Sequence, residues 1–94
     1  MNALQIWLMK RHCPDYEKKM PEDEPGLWQA DAIIVHGYCG TRQDVVASKQ
    51  VEGKKAAYMT ARWLALKAQW MRPMWLFNCG INYGVKKVTK EKPE

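Results

Sequence analysis

Residues 54–72 read KKAAYMTARWLALKAQWMR, the one long segment in which nearly every residue favours helix, and Pro73 stops it. At about 100° per residue, Met59, Trp63, Leu66 and Trp70 fall on one stripe within roughly 60°, and Ala57, Leu64, Ala68 and Met71 form a second stripe roughly 140° away. A helix apolar on two faces is normally buried on both. The flanking segments hold short β-branched and aromatic runs, so the expected fold is α+β: a small antiparallel sheet of three to five strands with this one long amphipathic helix packed on it. A chain this short covers one helix face with its own sheet, which leaves the second face to be covered either by residues 3–9 or by a partner molecule.

The 94 residues suffice for a single core, expected over residues 1–88 with a flexible charged tail at 89–94. Five Trp, six Met and four Tyr exceed what so small a core needs. Trp and Tyr recur as anchors of protein interfaces and Met supplies adaptable contacts, which points to a binder. Charge is uneven: the net +5 divides into −2 up to Gly40, from four basic and six acidic side chains, and +7 from Thr41 onward, from eleven basic and four acidic. Cys13, Cys39 and Cys79 are odd in number and lack CxxC spacing, which argues for a reduced, cytoplasmic chain. The N-terminal apolar run is short and followed by Lys10 and Arg11, unlike a cleavable signal, and no run reaches membrane-spanning length.

Along the chain, residues 3–12 (ALQIWLMKRH) fit two readings. Asn2 as a cap and Lys10, Arg11, His12 and Pro14 as stop signals suit a helix, while alternation of Leu4, Ile6 and Leu8 suits a strand. We take the strand as the expectation. Residues 14–26, with three prolines and clustered charge, read as a solvated surface loop, including its acidic run Glu22, Asp23 and Glu24. Residues 30–38 form the best central strand, 42–49 its hairpin partner, 74–79 a further strand, and 85–88 a short edge strand after a bend at Gly80 and Asn82, Tyr83 and Gly84.

Candidate chemistry is sparse. His12, Cys13, His36, Cys39 and Cys79 are metal-ligand types, with His36 and Cys39 spaced for a two-ligand turn, but no second paired knuckle exists and no metal or other cofactor is expected. Ser48 is the only serine and lacks a nucleophile elbow. The carboxylates fall mostly in the loop, where their positions would be unfixed, so no enzyme activity is expected. The segment IIVHGYCGTRQDVV resembles the GxxG loop of KH RNA-binding domains through Gly37, Gly40 and Arg42, whereas a glycine turn between strands explains the same residues. The expected partner-binding residues are Trp63, Trp70, Trp75, Met59, Met71, Arg62 and Arg72. Lys49, Lys54, Lys55, Lys86 and Lys87 supply an alternative phosphate-contacting surface, while Tyr58, Arg62 and Gln69 form a narrow polar side of the helix, as a solvent-facing strip would.

In its size, its tryptophan-rich helix between strands and its lack of a catalytic motif, the chain is similar to small phage-encoded accessory proteins that bind host machinery. That resemblance implies a non-enzymatic protein that inhibits or redirects a host enzyme acting on nucleic acid, such as a polymerase, a restriction system or a recombination nuclease. The alternative is a small basic DNA- or RNA-binding protein, and a third reading is a homodimer pairing the spare helical face.

Overall fold

The computed structural model describes residues 2–36, 42–71 and 79–88. Its elements run α1 (Ala3–His12), β1 (Leu27–His36), β2 (Arg42–Glu52), α2 (Lys54–Met71) and β3 (Cys79–Lys87). The strands form one antiparallel sheet in the order β2-β1-β3, with β1 central, so the fold is α+β as the residue pattern predicts. Among the described residues it carries two helices rather than one.

The additional helix corrects the strand expected at residues 3–12. Asn2 caps it in a closed box: the Gln5 N–H donates to the Asn2 side-chain oxygen at 2.8 Å, and the Asn2 N–H donates to the Gln5 side-chain oxygen at 3.2 Å. Lys10, Arg11 and His12 occupy the last turn, where the carbonyl end of the helix favours positive charge. Leu4, Ile6 and Leu8 alternate on paper, but helix caps at both ends outweigh that alternation. α1 lies against α2 and buries Met9 completely.

On β1, Trp28, Ala30, Ala32 and Ile34 form the buried side, while Gln29, Ile33 and Val35 on the opposite side are only partly covered. α2 crosses this buried side and touches all three strands. Ala57 and Ala61 of the helix and Ala30 and Ala32 of β1 are all fully buried, and side chains this small let helix and sheet approach closely. Met9, Tyr16, Tyr58 and Leu66 form a buried cluster beside α2, joined by Cys13, Met20, Met59 and Trp63 and by Tyr83 and Val85 of β3. The stripe of Met59, Trp63 and Leu66 is therefore covered by α1 and the segment after it, and the helix is packed on two sides.

Two expectations about connecting segments change. Residues 14–26 contain neither helix nor strand and their acidic run is exposed, as expected, yet Tyr16 is buried and two of the acidic residues also hold the start of α2. The Asp23 carboxylate accepts the Lys55 N–H at 3.1 Å, the Glu24 carbonyl accepts the Lys54 N–H at 2.8 Å, and the Glu24 side chain meets the Lys54 ammonium at 3.6 Å. α2 begins with two lysines and no capping side chain of its own, so the loop supplies the acceptors its first N–H groups need. Gly53 makes this approach feasible, with φ +92° and a would-be Cβ only 3.3 Å from the Asp23 carboxylate.

The expected bend at Gly80 and Asn82, Tyr83 and Gly84 is instead continuous strand, paired with β1 from Trp28↔Lys87 to His36↔Cys79. Pairing overrides the local turn chemistry, and Gly84 has a packing role: a Cβ there would lie 3.3 Å from Ile33 Cδ1. The strand expected at 74–79 lies outside the described residues except for Cys79, and the glycine turn at 37–41 and the tail at 89–94 lie outside them too. What flanks residues 37–41 is a pair of antiparallel strands with His36 opposite Arg42, not the pair of helices that a KH loop requires.

Candidate functional site

Two features of the helical layer stand out, one buried and polar, the other exposed and apolar. The first is centred on Arg62, which sequence periodicity puts on a solvent-facing strip with Tyr58 and Gln69. Arg62 is instead 8% exposed and Tyr58 4% exposed. One Arg62 terminal nitrogen donates to the Tyr83 hydroxyl at 2.9 Å and the other to the Asp15 carboxylate at 2.7 Å, with the guanidinium 4.6 Å from the centre of the Tyr83 ring. The Tyr58 hydroxyl donates to the Tyr16 carbonyl at 2.9 Å, and the Tyr58 and Tyr83 rings meet edge to face. A helix, a strand and a loop thus converge on a single cation.

This convergence sets the ionisation of each group. The hydrogen bond from Arg62, followed by that from Lys19, holds Asp15 below the ordinary carboxylate value of 3.8. Burial first of all pushes Tyr58 up to about 12, against an opposing pull from Arg62. For Arg62, burial acts to lower the pKa but is outweighed by hydrogen bonds to Tyr83, Asp15 and Cys13, so the guanidinium stays charged. Asp15 and Tyr58 are thereby moved away from neutrality in opposite directions, the reverse of what a general acid or base needs. A cleft of about 260 Å³ opens beside them, lined by Cys13, Asp15, Lys19, Arg62, Ala65, Leu66, Gln69, Ile81, Asn82 and Tyr83. Chemically the cluster is a clamp between elements distant in sequence.

The second feature is the outside of the helical layer. Leu4 is 64% exposed and Trp7 56% exposed on α1, and Trp70 is 48% exposed near the end of α2. Leu4, Trp7 and Arg11 recur at helical spacing on the face opposite Met9. The Arg11 guanidinium lies 5.8 Å from the Trp7 ring centre, and the Trp70 ring meets His12 of α1 and Trp63 of its own helix edge to face, at 5.1 and 6.2 Å. Neither α1 nor α2 contains a single Asp or Glu, while Lys10, Arg11, Lys54, Lys55, Arg62 and Lys67 lie within them. Of these, Lys10, Lys54 and Arg62 pair with carboxylates of the 14–26 segment. Arg11 and Lys67 remain exposed beside the tryptophans.

The expected partner-binding residues therefore divide. Trp70 is exposed, Trp63 and Met59 are half-buried against the core, Arg62 is buried in the clamp, Met71 is the last residue of α2, and Trp75 and Arg72 lie outside the described residues. Leu4, Trp7 and Arg11 were missed, although the Asn2 and Gln5 capping pair was the signal that would have placed them on a helix. Of the alternative lysines, only Lys54 and Lys87 are seen to share a neighbour. Lys86 and Lys87 are neighbours in β3 and so point to opposite faces, while Lys54 and Lys87 both lie over the Trp28 ring, at 5.3 and 5.9 Å from its centre.

Among the described residues no three His, Cys, Asp or Glu gather into a metal-binding group. The sheet register does set His36 opposite Cys79, two ligand types that the sequence places far apart, while Cys39 lies outside the described residues. No helix among the described residues is long and apolar enough to cross a membrane. No family model matches the chain, and neither the curated proteins nor the solved structures contain a match to it.

Proposed function

We propose that the chain is a non-enzymatic protein-binding module that docks through the outside of its helical layer, with Leu4, Trp7 and Trp70 as anchors and Arg11, His12 and Lys67 as the rim. The observation that carries this reading is the combination of large exposed apolar side chains with two helices devoid of acidic residues. Exposed tryptophan beside arginine is the composition of an interface hot spot, and the exposed Arg11 and Lys67 favour a partner with an acidic rim around an apolar pocket. The partner we infer is a protein acting on nucleic acid, met on an acidic face away from its nucleic-acid channel. Such a channel is itself basic and would repel these helices, so modulation would come from an outlying face rather than by blocking the channel.

The test is affinity purification of the intact chain with and without nuclease, alongside the Trp7→Ser and Trp70→Ser variants. A stoichiometric protein retained after nuclease treatment and weakened at least about tenfold by each variant supports the reading. Recovery of nucleic acid alone, with binding that falls steeply with salt, would replace it with the nucleic-acid reading. Partner retention unaffected by both variants would remove the helical face from the proposal.

A further inference from the structure

The open edge of the sheet carries information that the helical face does not. β2 is eleven residues long, and among the described residues it pairs with β1 alone. Long edge strands invite further pairing, and proteins usually blunt them by shortness, charge, proline or a bulge, of which β2 has charges and a bulge but neither shortness nor proline. Val45 and Val46 on it are 56% and 46% exposed. These valines sit where the pairing slips by one residue: Ala47 pairs with Ala32 but Val45 pairs with Ile33, so Val46 is the extra residue of a β-bulge.

We infer that this edge binds the β2 edge of a second copy, antiparallel about a two-fold axis between Val46 and Ala47. In such a pair, partners must lie on the same face of the joined sheet. The register with β1 assigns the faces: Asp44, Ala47, Lys49 and Val51 share the face of Ile34, Ala32, Ala30 and Trp28, while Gln43, Val45, Ser48 and Gln50 lie on the other. In a regular strand, residues an even number apart share a face. The bulge shifts this parity, so Asp44 and Lys49 share a face although five apart. Antiparallel self-pairing centred on the bulge then sets Asp44 against Lys49 of the second copy, Gln43 against Gln50 and Val45 against Ser48, three face-matched pairs on either side of a central contact between Val46 and Ala47.

Both ends of this pairing are complementary. The Asp44 to Lys49 contact occurs twice by symmetry, and the exposed Val46 of each copy meets Ala47 of the other at the centre. Asp44 already interacts within its own chain, and a carboxylate has acceptor capacity for a second contact. β3, the other edge, is a poorer candidate because glycine at Gly80 and Gly84 weakens it and its two charges, on the neighbouring Lys86 and Lys87, have the same sign, so they offer no complementary self-pairing. The result is a six-stranded sheet with β2 of each copy at its middle and both α2 helices on one side.

Sedimentation equilibrium of the full chain tests this, with expected dimer mass twice the 11.0 kDa of one copy. Asp44→Lys and Lys49→Asp each place like charges opposite one another and should weaken association at least about tenfold, while the double variant should return to within about threefold of the parent. Circular dichroism confirms that the variants fold. A chain that stays monomeric up to about 1 mM overturns the inference. So does a dimer indifferent to the single variants, a double variant that fails to recover, or a dimer dissociated by Trp7→Ser.

Discussion

Arg62 and Tyr58 on α2 are polar and buried, whereas Leu4 and Trp7 on α1 are apolar and exposed. Hydrophobicity alone ranks the two regions the wrong way round. Arg62 and Tyr58 are covered because Asp15, Tyr16 and Tyr83 arrive from a loop and a strand with acceptors and rings that match them. Trp7 is uncovered because α1 spends its opposite face on α2, and no described element lies beyond it. Burial follows which partners reach a residue, and a buried polar group persists only where its hydrogen bonds are met.

This contrast can be broken by mutation. The largest effect is expected for Arg62→Ala, which removes two charge-assisted hydrogen bonds and the packing over two tyrosine rings; chemical denaturation should show a loss of about 3 kcal/mol. Arg62→Met keeps the packing and should lose less. If Arg62→Ala costs no more than a surface substitution, the clamp is not a clamp. Tyr58→Phe strips the Tyr16 carbonyl of its donor and should cost about 1–2 kcal/mol by the same measurement. Asn2→Ala opens the capping box of α1 and should cost about 1 kcal/mol, read as lost helicity and a lower denaturation midpoint. Trp7→Ser and Trp70→Ser should change stability least, by about 0.5 kcal/mol or less, while weakening partner capture.

Titration sharpens the same comparison, because its effects belong only to the buried cluster. The folded pKa of Asp15 is lowered, so its contribution to stability is present above the unfolded value of 3.8 and fades as pH falls through the depressed folded value. Urea midpoints of Asp15→Asn should therefore fall less steeply with acid than those of the parent. Tyr58 is the opposite case. Its folded pKa is raised from 10.0 to about 12, so its contribution holds below pH 10.0 and is lost as pH rises toward 12. Tyr58→Phe should flatten that alkaline decline, seen as a smaller difference in midpoint between pH 9 and pH 11 than in the parent.

Much of the architecture was legible from residue types. The helix-forming run gave α2 to within one residue at its end, and the β-branched run Ile33, Ile34 and Val35 marked the central strand. The site was less legible. Trp70 was found from its stripe, but Trp63 and Met59 on the same stripe turned inward, since only the contact with α1 distinguishes them. Leu4, Trp7 and Arg11 were hidden by an alternation that a strand and a short helix share over ten residues, with the caps deciding between them.

By itself, the sequence determined the periodicities: which residues share a helix face, where Pro73 and the glycines punctuate the chain, and that the basic charge is concentrated in its second half. These are local properties, set by backbone geometry and side-chain chemistry within a few residues. Only the tertiary structure decided which face is covered, that Asp23 and Glu24 cap a helix thirty residues away, that Arg62 is clamped by Asp15 and Tyr83, and that a bulge shifts the parity of β2. Each of those depends on two segments far apart in sequence meeting in space, and the spacing of residues along one segment carries no record of its partner.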